Sequence, residues 1–106
     1  MIGNNIKKDI AGMINGNILH LDKGSLTVGK LKLNGYLALT DDTLNFVEVT
    51  KAKELKTALH INYSDIIFHK FYFEIFIEAS NHIIYQLKTS NMFKAYNILQ
   101  EKVELL

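Results

Sequence analysis

The chain has 106 residues, and 48% of them are hydrophobic, which predicts a single folded domain and excludes a disordered polypeptide. Twelve basic and 11 acidic residues leave a net charge of +1, whereas a dedicated nucleic-acid binder needs a clear basic excess. Every basic residue is a lysine, and cysteine is absent, so we expect neither disulfides nor a thiolate metal site.

Targeting features are also absent from the sequence. No stretch approaches the roughly 20 apolar residues of a membrane span. The N-terminus has no long apolar run after its first charges, so it does not read as a signal peptide. We therefore expect a cytoplasmic protein, either free or peripheral at a membrane.

The N-terminal segment has helical periodicity. Ile6, Ile10, Met13 and Ile14 fall at helical spacing on one face. This predicts a short helix that either packs on the body of the protein or anchors it to a membrane or a partner. We expect residues 1–15 to form this segment and residues 16–106 to form one domain.

The next stretch is extended. Residues 16–22 predict a first strand, and Lys23, Gly24 and Ser25 predict a turn before further short strands. Gly29 and Gly35 interrupt the extended pattern. A glycine within a strand often marks a bulge or a bend, which allows a sheet to curl.

Residues 35–49 predict a β-hairpin that turns at Asp41 and Asp42. One face is strongly apolar, and the other is mixed and more polar, which indicates a sheet with its core on one side. On the apolar face the expected pairs are Leu39 with Leu44 and Leu37 with Phe46. The mixed face carries Tyr36, Ala38, Asn45 and Val47.

The second half of the chain predicts more strands and a final helix. After a charged connection at residues 50–57, strands are expected at residues 58–63 and 66–71. Residues 71–89 predict a second hairpin whose first arm places Phe73 on the core face. The apolar faces of the two arms align if the loop has three residues, 80–82, with Asn81 or His82 in the left-handed region. An amphipathic helix then runs from Met92 to Glu104, capped by Ser90 or Asn91.

These elements predict a mainly β fold: a curled antiparallel barrel or sandwich of about seven strands, capped by one C-terminal helix. The pattern resembles the pleckstrin-homology superfold and, within it, bacterial GRAM-like domains, over roughly residues 16–104. The resemblance rests on three segments: Val28-Gly29-Lys30-Leu31, the hairpin from Gly35 to Phe46, and Ile61-Asn62-Tyr63-Ser64-Asp65-Ile66. It implies a phosphoinositide, membrane or protein ligand.

Catalytic chemistry finds no support in the sequence. The four histidines lie on different predicted elements and form no H-x-H or H-x-x-x-H pair. Asp41 and Asp42 fit a tight turn better than an acid–base pair. No phosphate-binding or nucleophile motif occurs. We expect a protein that is not an enzyme and that uses no metal or cofactor.

Two binding functions stay open. The first is an anionic-lipid or membrane-surface module, in which several lysines converge at the open end of the barrel. The candidate lysines are Lys23, Lys30, Lys32, Lys51, Lys53 and Lys56. The second is a protein-interaction or self-association module with no small ligand. Its candidate surface is Tyr72, Phe76 and Ile84, unless the N-terminal helix covers it.

Overall fold

A coiled antiparallel sheet of seven strands forms the body of the protein in the computed structural model, which describes residues 4–104. A helix precedes the sheet and another follows it, so the predicted fold class is confirmed. Along the sheet the strands lie in the order β4-β3-β2-β1-β7-β6-β5. The elements are α1 (Asn4–Met13), β1 (Ile18–Val28), β2 (Leu31–Thr40), β3 (Thr43–Val49), β4 (Leu55–Asn62), a 3₁₀ turn (Tyr63–Asp65), β5 (Ile66–Tyr72), β6 (Glu74–Ala79), β7 (Ile84–Thr89) and α2 (Met92–Glu104).

The β2–β3 hairpin forms in the predicted register. Leu37 lies opposite Phe46, Leu39 lies opposite Leu44, and all four side chains are buried. The Thr40 hydroxyl accepts the backbone N–H groups of Asp42 (3.2 Å) and Thr43 (2.9 Å), which explains the hairpin tip as turn chemistry. The apolar face of the hairpin packs with β4, the second half of the sheet and α2 in the main core.

The opposite face of the same hairpin is also buried, so the prediction of a core on one side is wrong. The helix α1 packs on it: Ile10 of α1 and Ile14, the first residue after the helix, join Tyr36, Ala38 and Val47 in a second apolar cluster. Of the two interpretations of the N-terminal segment, the structure thus shows a helix packed on the body. The division of the chain at residue 16 stays a prediction.

The strand β1 runs without interruption through the expected turn at residues 23–25. Gly24 lies within it, opposite Gly35 on β2 and Thr89 on β7. A Cβ at Gly24 would collide with the carbonyl oxygen of Lys88 and lie 2.9 Å from the Cα of Thr89. The glycine is therefore needed for close approach of two strands and not for a turn. Gly29, with φ of 58°, forms the β1–β2 turn.

The second hairpin is confirmed at its loop and corrected at its start. Ile75 pairs with Leu87 and Ile77 pairs with Tyr85, as a three-residue loop requires, and His82 has φ of 67°. The β6 strand begins only at Glu74, because the chain reverses tightly at Phe73 between the paired residues Tyr72 and Glu74. Phe73 therefore lies outside the core, with 78% of its surface exposed.

The C-terminal helix begins where predicted. The Asn91 side chain accepts the backbone N–H of Lys94 (3.3 Å), which is an N-cap bond. A carboxylate oxygen of Asp22 on β1 accepts the backbone N–H of Asn91 (2.6 Å). Ala95 and Leu99 on α2 are buried in the main core. The helix is thus fixed at its first turn by a capping residue and by a contact to β1.

Candidate binding surfaces

Two hairpin turns lie at the same end of the sheet and carry lysines. The strands β2 and β3 are antiparallel neighbours, so the start of β2 lies beside the end of β3. The β1–β2 turn contains Lys30, and the β3–β4 connection contains Lys51 and Lys53, all exposed. We call this end of the sheet the lysine end.

Two further candidates belong to the lysine end. Lys32 lies one residue into β2 from its start, and Lys56 lies opposite Glu48 in the β3–β4 ladder. Within the two turns and the adjoining residues of β2, β3 and β4, the acidic residues are Glu48 and an exposed Glu54. Five lysines against two glutamates leave a positive excess of three charges.

Lys23 is the candidate that lies apart. It pairs with Tyr36 in the middle of the β1–β2 ladder, five residues from the end of β1 at Val28. At about 3.3 Å per residue, this places it roughly 17 Å along the strand from the turn. The structure therefore does not bring Lys23 together with the other five.

Exposed aromatic side chains lie at the β5–β6 turn and on α2. The strand β7 runs away from the β1–β2 turn, since Gln86 pairs with Thr27 and Thr89 with Gly24. The β5–β6 turn lies beside the end of β7, level with Gly24 in the middle of β1 and not with the β1–β2 turn. Three rings there are largely exposed: Tyr72 at 68%, Phe73 at 78% and Phe93 at 77%.

These rings surround a shallow groove of about 470 Å³, which is lined entirely by apolar and aromatic residues. The ring of Phe71 lies 5.2 Å from that of Phe93, and the ring of Tyr72 lies 4.8 Å from that of Phe73. Met92 completes the lining. We call these five residues the aromatic surface: Phe71, Tyr72, Phe73, Met92 and Phe93.

The predicted interaction surface is divided in the structure. Phe76 and Ile84 line a separate groove of about 280 Å³ together with Phe68, whereas Tyr72 belongs to the aromatic surface. Phe76 is half-buried, and the Lys70 ammonium lies 5.2 Å from the centre of its ring. The helix α1 covers neither groove, because its buried residues contact β2 and β3.

Phe73 and Phe93 were missed as surface residues. Phe73 continues the alternation of β6, and no glycine or asparagine marks the turn that excludes it from the strand. The exposure of Phe93 is predictable from the sequence, because this residue falls beside the apolar stripe of α2 and not on it.

A polar cavity of about 430 Å³ lies between α1, β1 and the start of α2. It is lined in part by Lys7, Lys94 and the buried pair His20 and Asp22. The Nε2 atom of His20 lies 3.4 Å from a carboxylate oxygen of Asp22 but has no hydrogen-bond partner. Asp22 also accepts the Asn91 N–H, so this internal carboxylate places a negative charge beside the start of α2.

The other histidines have separate structural contacts. His60 is 2.6 Å from the Asn45 side chain, and His69 is 2.8 Å from the hydroxyl of Tyr96. Burial, and secondarily Glu104, raise the pKa of Tyr96. Within residues 4–104, no group of three or more metal-ligating side chains occurs.

Neither described helix combines the length and apolar character needed to cross a membrane.

Comparisons with known proteins give structural relatives only. Neither a family model nor a curated protein matches the chain. A crystal structure of the C-terminal domain of an unknown protein from Leishmania infantum matches with a TM-score of 0.67 at 21% identity, covering 91% of this chain and 89% of that one. A structure of Vav1 with an allosteric inhibitor matches with a TM-score of 0.63 at 12% identity, covering 83% of this chain and 27% of that one. These matches and the architecture are consistent with a pleckstrin-homology-like fold.

Proposed function

We propose that the protein is a non-enzymatic, GRAM-like binding module that engages the anionic headgroups of a cytoplasmic membrane surface. The observation that carries the proposal is the position of five lysines on two adjacent hairpin ends at one end of the sheet. Lys30, Lys51 and Lys53 lie in the turns themselves, where their exposed side chains are free to approach a surface. Lys32 and Lys56 lie just behind them.

The expected strength is modest. Each lysine close to an anionic bilayer contributes about 1 kcal/mol, and Glu48 and Glu54 oppose part of this attraction. No arginine is present to form paired hydrogen bonds with a phosphate. The binding is therefore diffuse, dependent on several lysines at once and sensitive to salt.

Vesicle sedimentation at low ionic strength tests this function. We expect binding to phosphatidylserine-containing vesicles and none to neutral phosphatidylcholine vesicles. Lys30→Gln/Lys32→Gln should weaken binding by about tenfold, as the loss of one to two kcal/mol implies. Lys94→Gln/Lys102→Gln removes the same charge from α2 and should change binding less than twofold. Equal binding to both kinds of vesicle, or equal loss in both variants, would refute the proposal.

A protein-interaction module is the second candidate function. It is favoured by the number of apolar side chains exposed on the second half of the sheet and on α2. Those more than half exposed there are Ile67, Phe68, Tyr72, Phe73, Ile84 and Phe93. Scattered apolar residues are common on protein surfaces, but contiguous aromatic ones are typical of interfaces.

A further inference from the structure

We infer that the aromatic surface is a self-association site, through which a second copy of this chain docks across a two-fold axis with Phe73 of each copy in the groove of the other. The inference rests on the second proposed function and names its partner. It is independent of lipid binding, because none of the five lysines of the lysine end lines the aromatic groove.

Self-complementarity is the first argument. A two-fold interface uses the same patch on both copies, so the patch must contain both a projecting group and a cavity that accepts it. Phe73 projects from the tip of the β5–β6 turn with 78% of its surface exposed. The groove beside it, between Phe71, Met92 and Phe93, is apolar and open. Both halves of the contact are therefore present on one surface.

The backbone at Phe73 is the second argument. Its φ of 59° places an aromatic residue in the left-handed region, which favours glycine and asparagine. Such a conformation is unfavourable for a residue with a Cβ, and within its own chain the ring contacts the Tyr72 ring at 4.8 Å while most of its surface stays exposed. The turn holds the ring outward, where a second molecule can bury it.

The area available is the third argument. At 150–250 Å² per aromatic side chain, the exposed parts of Tyr72, Phe73 and Phe93 amount to roughly 450 Å². This is more than half of the roughly 800 Å² that each partner buries in a standard interface.

The charge beside the groove favours a protein over an anionic membrane as the occupant. Glu74 follows Phe73 directly and pairs with Tyr72 across the β5–β6 turn, whereas Lys94 lines the polar cavity between α1, β1 and the start of α2. An anionic bilayer would repel Glu74 at the point where Phe73 would have to insert.

The test measures mass in solution by sedimentation equilibrium up to about 1 mM protein. The wild type should approach twice its 12.1 kDa mass, and the dimer dissociation constant of Phe73→Asn should be at least about tenfold higher than that of the wild type. Asparagine tolerates the left-handed region, so the variant should fold, which circular dichroism checks. Leu31→Asn, an exposed apolar position (58%) at the lysine end, is the matched control and should dimerise like the wild type.

A mixing experiment tests the knob-and-groove geometry directly. Phe93→Asp damages the groove and retains the projecting ring, whereas Phe73→Asn removes the ring and retains the part of the groove formed by Phe71, Met92 and Phe93. Neither should dimerise alone, but an equimolar mixture retains one intact contact and should associate more tightly than either variant. A mixture no tighter than its components would overturn the geometry.

A wild type that is monomeric at every concentration would overturn the self-association proposal. This holds even if that monomer binds neutral vesicles through Phe73. The broader protein-interaction function is tested separately. It is refuted only if, in addition, Phe73→Asn and the wild type give the same pattern of cross-linked species in cells.

Discussion

Replacing Gly35 by alanine should severely destabilise the protein. The new Cβ would collide with the carbonyl oxygen of Val47 and lie 2.9 Å from the Cα of Glu48. Real Cβ atoms essentially never make contacts this short. Both obstacles are backbone atoms of β3, so no side chain can rotate away. The β2–β3 ladder would have to separate at its first pair, Gly35 with Glu48.

The cost can be set against known overpacking effects. Inserting a methyl group into a well-packed site typically costs about 1–3 kcal/mol when side chains can adjust, and a backbone collision belongs at or above the upper limit. We expect the free energy of unfolding in urea to fall by about 3 kcal/mol or more. For a domain of this size, that corresponds to a Tm lower by roughly 12 °C.

Gly12→Ala is the matched control. Apart from its chain neighbours and the backbone of its own helix, no atom lies within 4 Å of a Cβ at Gly12, and this glycine lies within the helix α1. The same substitution should therefore stabilise the protein by about 0.5–1 kcal/mol through helix propensity. A Gly35→Ala variant within about 1 kcal/mol of the wild type would refute the close-approach argument.

Two further predictions concern buried side chains. Burial, with smaller contributions from Asp41 and Asp42, raises the pKa of Tyr63 far above its ordinary value of 10.0. The hydroxyl is held protonated in the fold, so its contribution to the free energy of unfolding is complete below pH 10 and is lost as the pH rises further. Tyr63→Phe should therefore reduce the loss of stability at alkaline pH, measured by urea titrations at several pH values. An unchanged dependence of stability on pH would contradict this prediction. Ile10→Ala should lower the free energy of unfolding by about 2–4 kcal/mol, because Ile10 is fully buried against the sheet, whereas Met13→Ala, at a residue 40% exposed, should cost less than about 1 kcal/mol. Equal effects of these two substitutions would show that α1 does not dock as described.

Elements governed by local pattern were predictable from the sequence. The register of β2 and β3 follows from strict alternation and from turn residues between the strands. The length of the β6–β7 loop follows from the need to align Ile77 with Tyr85 on one face. The span and cap of α2 follow from its apolar stripe and from Asn91.

Features set by distant contacts were not predictable. The sequence around Gly24 has turn composition, but the residue serves the approach of β7, which is more than 60 positions away in the chain. The face that α1 covers depends on where the helix packs, which periodicity does not encode. The lysine end was predicted in part: five of the six candidate lysines lie there. The sixth, Lys23, lies along β1 and away from the turns, which the alternation of apolar residues does not indicate.

The pairing of β1 with both β2 and β7 has a consequence for how the protein folds. Every other ladder within residues 4–104 joins strands that follow one another in the chain, so β1–β7 is the only ladder that closes a long loop. Closing such a loop costs chain entropy before its contacts form, which makes this ladder the natural late step of folding. Two locally assembled units, β1 to β4 and β5 to β7, would then join along one strand. Beside this β1–β7 ladder, the carboxylate of Asp22 on β1 accepts the N–H of Asn91 at the start of α2. The joining of the two units and the anchoring of the final helix would then occur in the same step.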